Sequence, residues 1–456
     1  MLIRFRIRPI PWFGMLCALL GALGGDAWAD GAFPDSQSIL VPADQPHVIT
    51  LATNFGLVSS ADDGATWSWA CELTASNNAY LYQMGAPPMH RLFALSTLLG
   101  TNNGRLIFSD DNACGWNVAG GLLGGTLVLD AFPDPTDPMR VVAIANAGMT
   151  DGPSAHVVLE SEDGGATFTR MLYAAAAGDL LTGVEIARSD SQTIYVTVSS
   201  GAMFLPRLLR STDGGAHWTS IDLQASLGVS SIRLIAIDPE DAQRIFLRVS
   251  DANQDQLALV EQGGASVKTV LTATGGRLAA FARLPSKTVL VAGAVGANSQ
   301  PALFRSTDGG GTFAPVPNPP HLRALAGRGT QVFGAADFQM DGYALGVSTD
   351  DGLTWNQMMR FDQVSGIKSC VKDVCQTSCR LQVDSFLWSL DVCSATVGPM
   401  TMADAGTQSD AGMTPGGSSP PPPSGGGCQL ARGGWGGAGG ALAALVLLMA
   451  LRRRQR

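Results

Sequence analysis

An eight-residue string recurs along this 456-residue chain: SADDGATW from Ser60, SEDGGATF from Ser161, STDGGAHW from Ser211, STDGGGTF from Ser306 and STDDGLTW from Ser348. Two wider gaps each hold a degraded copy, SDDNACGW from Ser109 and VEQGGASV from Val260. Counting both, the copies start at 60, 109, 161, 211, 260, 306 and 348, in steps of 49, 52, 50, 49, 46 and 42 residues. Seven units of nearly constant length define a repeat architecture, in which each unit buries its apolar face against its neighbours.

Upstream of each box a polar turn precedes a short β-branched run, as in DPTDPMRVVAIA, SDSQTIYVTV, DPEDAQRIFLRV and LPSKTVLVAGA. The unit therefore reads as strand, turn, strand, loop, strand, box, strand, which is the pattern of a propeller blade. No part of the body sustains a 3.6-residue apolar period, so helical solenoids are disfavoured. The predicted fold is all-β: a seven-bladed β-propeller over 30–365.

The box residues suit a hairpin turn. Asp62, Asp111, Asp163, Asp213, Asp308 and Asp350 can each accept hydrogen bonds from backbone N–H groups of their own turn. Gly64, Gly165, Gly215, Gly310 and Gly352 permit backbone angles that other residues reach only with strain. Trp67, Trp116, Phe168, Trp218, Phe313 and Trp355 are expected to bury a large ring against the blade. A catalytic constellation is rarely copied five times in one chain, so these residues are read as structural.

The pattern Ser-x-Asp-x-Gly-x-Thr-Trp resembles the Asp-box, or bacterial neuraminidase repeat, of sialidases, xyloglucan-hydrolysing glycosidases, sortilin-type receptors and a photosystem assembly factor. The resemblance implies a propeller and leaves the activity open, because these families do unrelated things with one scaffold. A sialidase would bring an Arg triad, a Tyr nucleophile with a Glu partner, an Asp acid and a Phe/Tyr-Arg-Ile-Pro signature near the first blade. Here the only similar string, FRIRPIP at Phe5–Pro11, falls in the leader, and Tyr80, Tyr82, Tyr173, Tyr195 and Tyr343 sit in no nucleophile motif. Seven units also depart from the sialidases' six blades.

A plain glycosidase needs only two carboxylates, about 5–5.5 Å apart for retention or about 6.5–9.5 Å apart for inversion. The loops between second and third strands emerge opposite the boxes and offer Asp151, Asp251, Asp255, Asp337 and Asp341, with His156, Arg207 and Tyr343 nearby. These are the candidate catalytic or binding residues, although short polar loops also use Asp for turn chemistry alone. The five histidines show no metal-type spacing, and no phosphate-binding Gly loop precedes a helix. Neither a metal nor a cofactor is expected.

Residues 1–29 read as a secretory signal, with Arg4, Arg6 and Arg8, the apolar run GMLCALLGALGG and the cleavage site Ala27-Trp28-Ala29. Cys17 is expected to leave with it. Setting aside Asp26 and the eight arginines of the two end segments, the body holds 21 basic and 37 acidic residues, a net charge of −16. Such a surface repels phosphate backbones, which argues against a nucleic-acid partner. Six cysteines of the exported body, Cys71, Cys114, Cys370, Cys375, Cys379 and Cys393, suggest disulfides. Four crowd into a stapled appendage at 366–395, with a metal site as the alternative, and Cys71–Cys114 is a candidate bridge between neighbouring repeats.

Residues 396–427 are too poor in apolar side chains to fold and read as an extended Pro/Gly/Ser-rich linker. From Cys428 an apolar segment, Trp435–Leu451, leads to RRRQR, close to the lower length limit for a membrane helix with a cytoplasmic end. Gly427-Cys428, the short span and the Arg cluster resemble the myxobacterial C-terminal sorting signal. That resemblance implies a processing protease, lipid attachment at Cys428 and delivery to the outer cell surface. The chain is read as a monomeric, noncatalytic module binding an extracellular glycan or protein. A glycoside hydrolase using an Asp pair and a structural envelope protein are the alternatives.

Overall fold

The computed structural model describes residues 36–75, 79–97, 104–147, 155–201 and 203–398. The segments read as signal peptide and sorting tail, with Cys428, lie outside the described residues, as does Asp151. Among the described residues no helix is long and apolar enough to cross a membrane.

The chain folds as a β-propeller. Sheets succeed one another along the sequence, each built on an antiparallel meander whose first strand lies innermost, and a short parallel pairing of Gly120–Gly121 with Thr167–Phe168 lies between the second and third. The repeat predicts seven equivalent four-stranded blades; the structure has six, over windows 79–118, 127–174, 179–222, 231–273, 277–315 and 322–359. The first sheet departs from them with six strands. Four are its own, Ser36–Leu40, Ile49–Thr53, Gly56–Ser60 and Trp67–Cys71, and two come from the region beyond the last blade.

That addition also corrects the domain boundary at 365/366, which cuts through the strand Val364–Lys368. This strand pairs in parallel with Trp67–Cys71, in register Val364 to Trp67 and Ile367 to Trp69. Thr396–Val397 then pairs with Ile367–Lys368. A sheet edge carries unpaired N–H and C=O groups, and the returning chain satisfies them. Between the two added strands lie helices Lys372–Asp384 and Leu390–Ser394. Trp388 from this excursion meets Trp69 at 5.0 Å and Phe55 at 5.8 Å between ring centroids. Covering both faces explains why three successive strands of the first sheet are buried at every residue.

The disulfides follow the same path. Cys71 bonds Cys375, Cys114 bonds Cys370, and Cys379 bonds Cys393. The expected Cys71–Cys114 bridge is therefore wrong: each of these cysteines reaches into the appendage, clamping it to the first and second sheets. Buried Lys368 adds a bond from its Nζ to Asn112 O, 2.7 Å, in the degraded box of the second sheet. At the seam of the ring the innermost strand of the first sheet also packs directly on that of the last, Leu322–Arg328. Ser36 Oγ donates to Ala344 O at 3.2 Å, and Arg328 donates to Val48 O at 2.8 Å across the same seam.

In every sheet the innermost strand slips register against its neighbour, for example between Val128 and Asp130, Leu181 and Gly183, and Leu234 and Ala236. Each slip is a β-bulge that leaves a backbone amide without a ladder partner near the axis. In three of these strands a carboxylate from the preceding blade accepts from a backbone amide near the slip, Val184 N, Ile237 N and Leu278 N.

Candidate functional site

The box turns are a self-contained hydrogen-bond lattice. In the turn from Ser306, Ser306 Oγ donates to Asp308 Oδ1 at 2.6 Å and accepts from Gly310 N at 2.8 Å. Asp308 in turn accepts from Thr312 N at 3.0 Å and from Thr312 Oγ1 at 2.7 Å. The same set recurs around Asp62, Asp163 and Asp350, and around Asp213 with His217 replacing Thr. The glycine at the fifth position of the box has φ between 83° and 95° in all five, where a Cβ would be strained. The degraded copy at Ser109 keeps three bonds of the set, two to Asp111 and one from Ala113 N to Ser109 Oγ. At Val260 the box is replaced by a short 3-10 turn, Gln262–Gly264. The aromatic positions are uneven: Trp67 and Phe168 are buried, whereas Trp116, Trp218, Phe313 and Trp355 are only partly so.

On the opposite face, the candidate carboxylates are committed one by one. Asp251 Oδ1 accepts from Asn253 N at 2.6 Å and Gln254 N at 2.9 Å, so its pKa is lowered by its own turn. Asp255 is buried, with Oδ1 3.0 Å from Arg277 Nη1 and Oδ2 accepting from Leu278 N at 3.0 Å. Asp337 caps the short helix Phe338–Asp341 through Gln339 N and Met340 N and pairs with Arg323 at 2.7 Å. Burial pushes its pKa up, and the bonds from Arg323, Met340 N and Gln339 N with the Arg323 charge together outweigh burial, leaving it lowered. Asp341 accepts from His321 N at 2.8 Å and lies 2.9 Å from His321 Nδ1.

The neighbours are committed as well. His156 Nδ1 accepts from Leu181 N at 2.9 Å, which requires a neutral ring, and burial lowers its pKa. Arg207 pairs with Asp179, which also accepts from Ser200 Oγ. Tyr343 is pushed up to about 12 by burial and by the charge of Asp341. Asp251 and Asp255 share Arg277, and Asp337 and Asp341 share one helical turn. No hydrogen bond or ion pair among the described residues joins one pair to the other.

Beside exposed polar residues such as Asp251, Asn253 and Gln300, this face exposes large apolar side chains. Phe204 (51%), Met203 (64%), Leu180 and Val229 stand on the fourth sheet and the connection leaving it, and Met340 (67%) stands on the loop of the last. Phe204 is held at φ 53°, an uncommon conformation for an aromatic residue, at the tip of the loop before Leu205–Ser211.

Two titrating groups near the axis escaped the sequence reading. Asp130 and Glu185 lie on adjacent innermost strands, Leu127–Pro133 and Asp179–Ala187. Asp130 Oδ2 accepts from Val184 N and Glu185 Oε2 accepts from Ile237 N, both at 3.1 Å, so each takes up a backbone amide of the next blade's innermost strand. Arg233 lies 3.8 Å from Asp130. Burial raises Asp130 to about 6, and burial together with the charge of Asp130 raises Glu185 to about 8. Tyr80 faces the same group, its phenol raised chiefly by burial. The available signal was an acid inside an apolar innermost strand of two successive units, LVLDAFP and LTGVEIA. The nearest axial cavity, about 280 Å³, is lined by Leu81, Arg233, Ile235, Arg248 and Phe281 and by neither carboxyl group. Among the described residues no group of three or more His, Cys, Asp or Glu is placed to hold a metal.

No known protein family matches the sequence, and no curated protein matches it. Solved structures do match in fold. A GH74 xyloglucanase from Xanthomonas campestris aligns at 16% identity over 71% of this chain and 58% of its own, with a TM-score of 0.35. YCF48 from Cyanidioschyzon merolae aligns at 15% over 66% and 92%, TM-score 0.44. The β-propeller domain of the trilobed protease from Pyrococcus furiosus aligns at 9% over 71% and 98%, TM-score 0.47. At these identities the likeness concerns the propeller fold alone. The chain spans little more than half the length of the xyloglucanase.

Proposed function

We propose that the protein is an exported β-propeller that binds a glycan or protein at the cell surface without transforming it, through the face opposite the box turns. The observation carrying this reading is that the described loop carboxylates of that face are each tied to backbone amides, Arg or His, while large apolar side chains, Phe204, Met203, Leu180, Val229 and Met340, stand exposed among its polar loops. Exposed aromatic and Met side chains are the usual anchors of recognition surfaces. Three disulfides support an oxidising compartment. Attachment near Cys428 after removal of the tail belongs to the same proposal and rests on the sequence of that tail.

The test is retention of the oxidised protein on an array of xyloglucan, chitin, sialylated glycans and a peptide library, compared with a Met203→Ser/Phe204→Ser variant. Both side chains are exposed, so the variant keeps its fold. Retention lost in the variant supports the reading; retention unchanged places recognition elsewhere. One observation favours a catalytic reading, the raised and adjacent carboxyls of Asp130 and Glu185, since glycosidases use a carboxyl held protonated. Their bonds to Val184 N and Ile237 N give the pair a structural task instead.

A further inference from the structure

The box-turn face holds a second concavity that the proposed function does not use. It encloses about 580 Å³ where the innermost strands of the first, second, third and last sheets run out, and its walls include Leu40, Pro42, Met84, Phe132 and Pro133. Leu40, Met84 and Phe132 pack on the core beneath and are only partly buried, so the rest of their apolar surface faces the cavity. Proline fixes φ, and Pro42, Pro87, Pro133 and Pro135 give the rim a preset shape. The volume falls in the range of sites that enclose a single small organic molecule.

The polar groups of the cavity sort into two kinds. His90 and Asp44 are bonded to each other at 2.9 Å, and His90 also meets Gln45 at 3.3 Å. Arg188, on the turn after the innermost strand of the fourth sheet, has no hydrogen bond or ion pair with any described residue. Other arginines of this face are spent on joints between blades. Arg91 binds Asp110 and Gly164 O, Arg140 binds Glu160 and Ser191 O, Arg244 binds Glu261 and Gly309 O, and Arg283 binds Asp238 and Glu240. Arg188 stands at an apolar, preformed hollow with its five donors uncommitted.

We infer that this hollow is a binding site for a small amphipathic organic anion. An aromatic or aliphatic body lies against Leu40, Met84 and Phe132, and a carboxylate or sulfonate pairs with Arg188. Guanidinium suits planar oxyanions because two parallel N–H donors meet two oxygens. The site is distinct in face and chemistry from the surface around Phe204, and it stands whether or not that surface binds a glycan or protein.

The probe is 1-anilinonaphthalene-8-sulfonate, which carries an aromatic body and one sulfonate, titrated by fluorescence into the oxidised full-length protein. Three variants accompany it. Arg188→Glu reverses the anchor, Ala43→Trp fills the rim, and Phe386→Ser removes the most exposed apolar side chain elsewhere, 95% exposed. All three positions are exposed, so the fold is retained. The expected result is saturable binding of one equivalent, weakened about tenfold or more by Arg188→Glu, the usual effect of losing a charge-assisted bond. Ala43→Trp abolishes it and Phe386→Ser leaves it unchanged. Absence of saturable binding, or binding that survives both Arg188→Glu and Ala43→Trp at wild-type affinity, overturns the inference.

Discussion

The two long-range disulfides make a prediction with a definite magnitude. Cys71–Cys375 closes 304 residues and Cys114–Cys370 closes 256, and the second loop is nested in the first. With one bridge intact, the other constrains only the chain through 71–114 and 370–375, about 48 residues. In the chain-entropy account such a loop contributes about 4 kcal/mol. Replacing one pair by serine, Cys71→Ser/Cys375→Ser or Cys114→Ser/Cys370→Ser, should therefore cost about 4 kcal/mol, a Tm loss of about 5 °C for a folded unit of this size. Removing both also releases a loop of some 300 residues, and the cost becomes about 10 kcal/mol, more than twice the single value. Calorimetry of the wild type, the two double variants and the quadruple variant measures this directly. Strictly additive losses, or losses near zero, would refute the view that the returning chain clamps the first and second sheets.

Other consequences follow from single side chains. Because the Glu185 carboxyl is raised, its contribution to stability is complete below its unfolded pKa near 4.5 and is lost as pH rises through about 8; Glu185→Gln should flatten the fall in Tm between pH 4.5 and 8, and an unchanged slope would contradict the assignment. Asp213 and Asp350 are lowered to about 2, Asp213 by bonds from His217 and Asp350 by bonds that outweigh its burial. Their contribution is present above pH 3.8 and lost as pH falls through about 2, so far-UV circular dichroism should show the fold persisting to pH 3.5. A Cβ at Gly310 would lie 2.6 Å from the Phe246 ring at φ 95°, and Gly310→Ala should cost a few kcal/mol in chemical denaturation, against about 1 kcal/mol for Gly329→Ala, whose Cβ meets nothing within 4 Å and bears only the strain of φ 59°.

Most of the architecture was legible because it is periodic. A turn that needs Asp, Gly and Thr at fixed offsets leaves the same mark at each copy, and the β-branched run before it marks a strand. The role of the first serine was not read, because its Oγ bonds to Gly310 N and Asp308 appear only when the turn closes. The aperiodic parts were misread. Cysteine spacing cannot say that Cys71 and Cys114 both reach the appendage, since pairing depends on where the returning chain lies. The boundary at 365/366 failed for the same reason: Val364–Lys368 is a strand by virtue of the edge of Trp67–Cys71, some 300 residues earlier. The axial acids were overlooked because each sits alone in an apolar strand, and only the ring brings Asp130 near Arg233 and beside the strand of Glu185.

The central claim is binding without turnover, and a single incubation addresses it. The oxidised protein is mixed with the xyloglucan, chitin and sialylated-glycan panel, and bound protein and released reducing sugar are measured from the same samples. The account predicts no released sugar from any member, whether or not the protein is retained. Release that disappears in Glu185→Gln or in Asp337→Asn/Asp341→Asn would contradict it and make the protein a glycoside hydrolase.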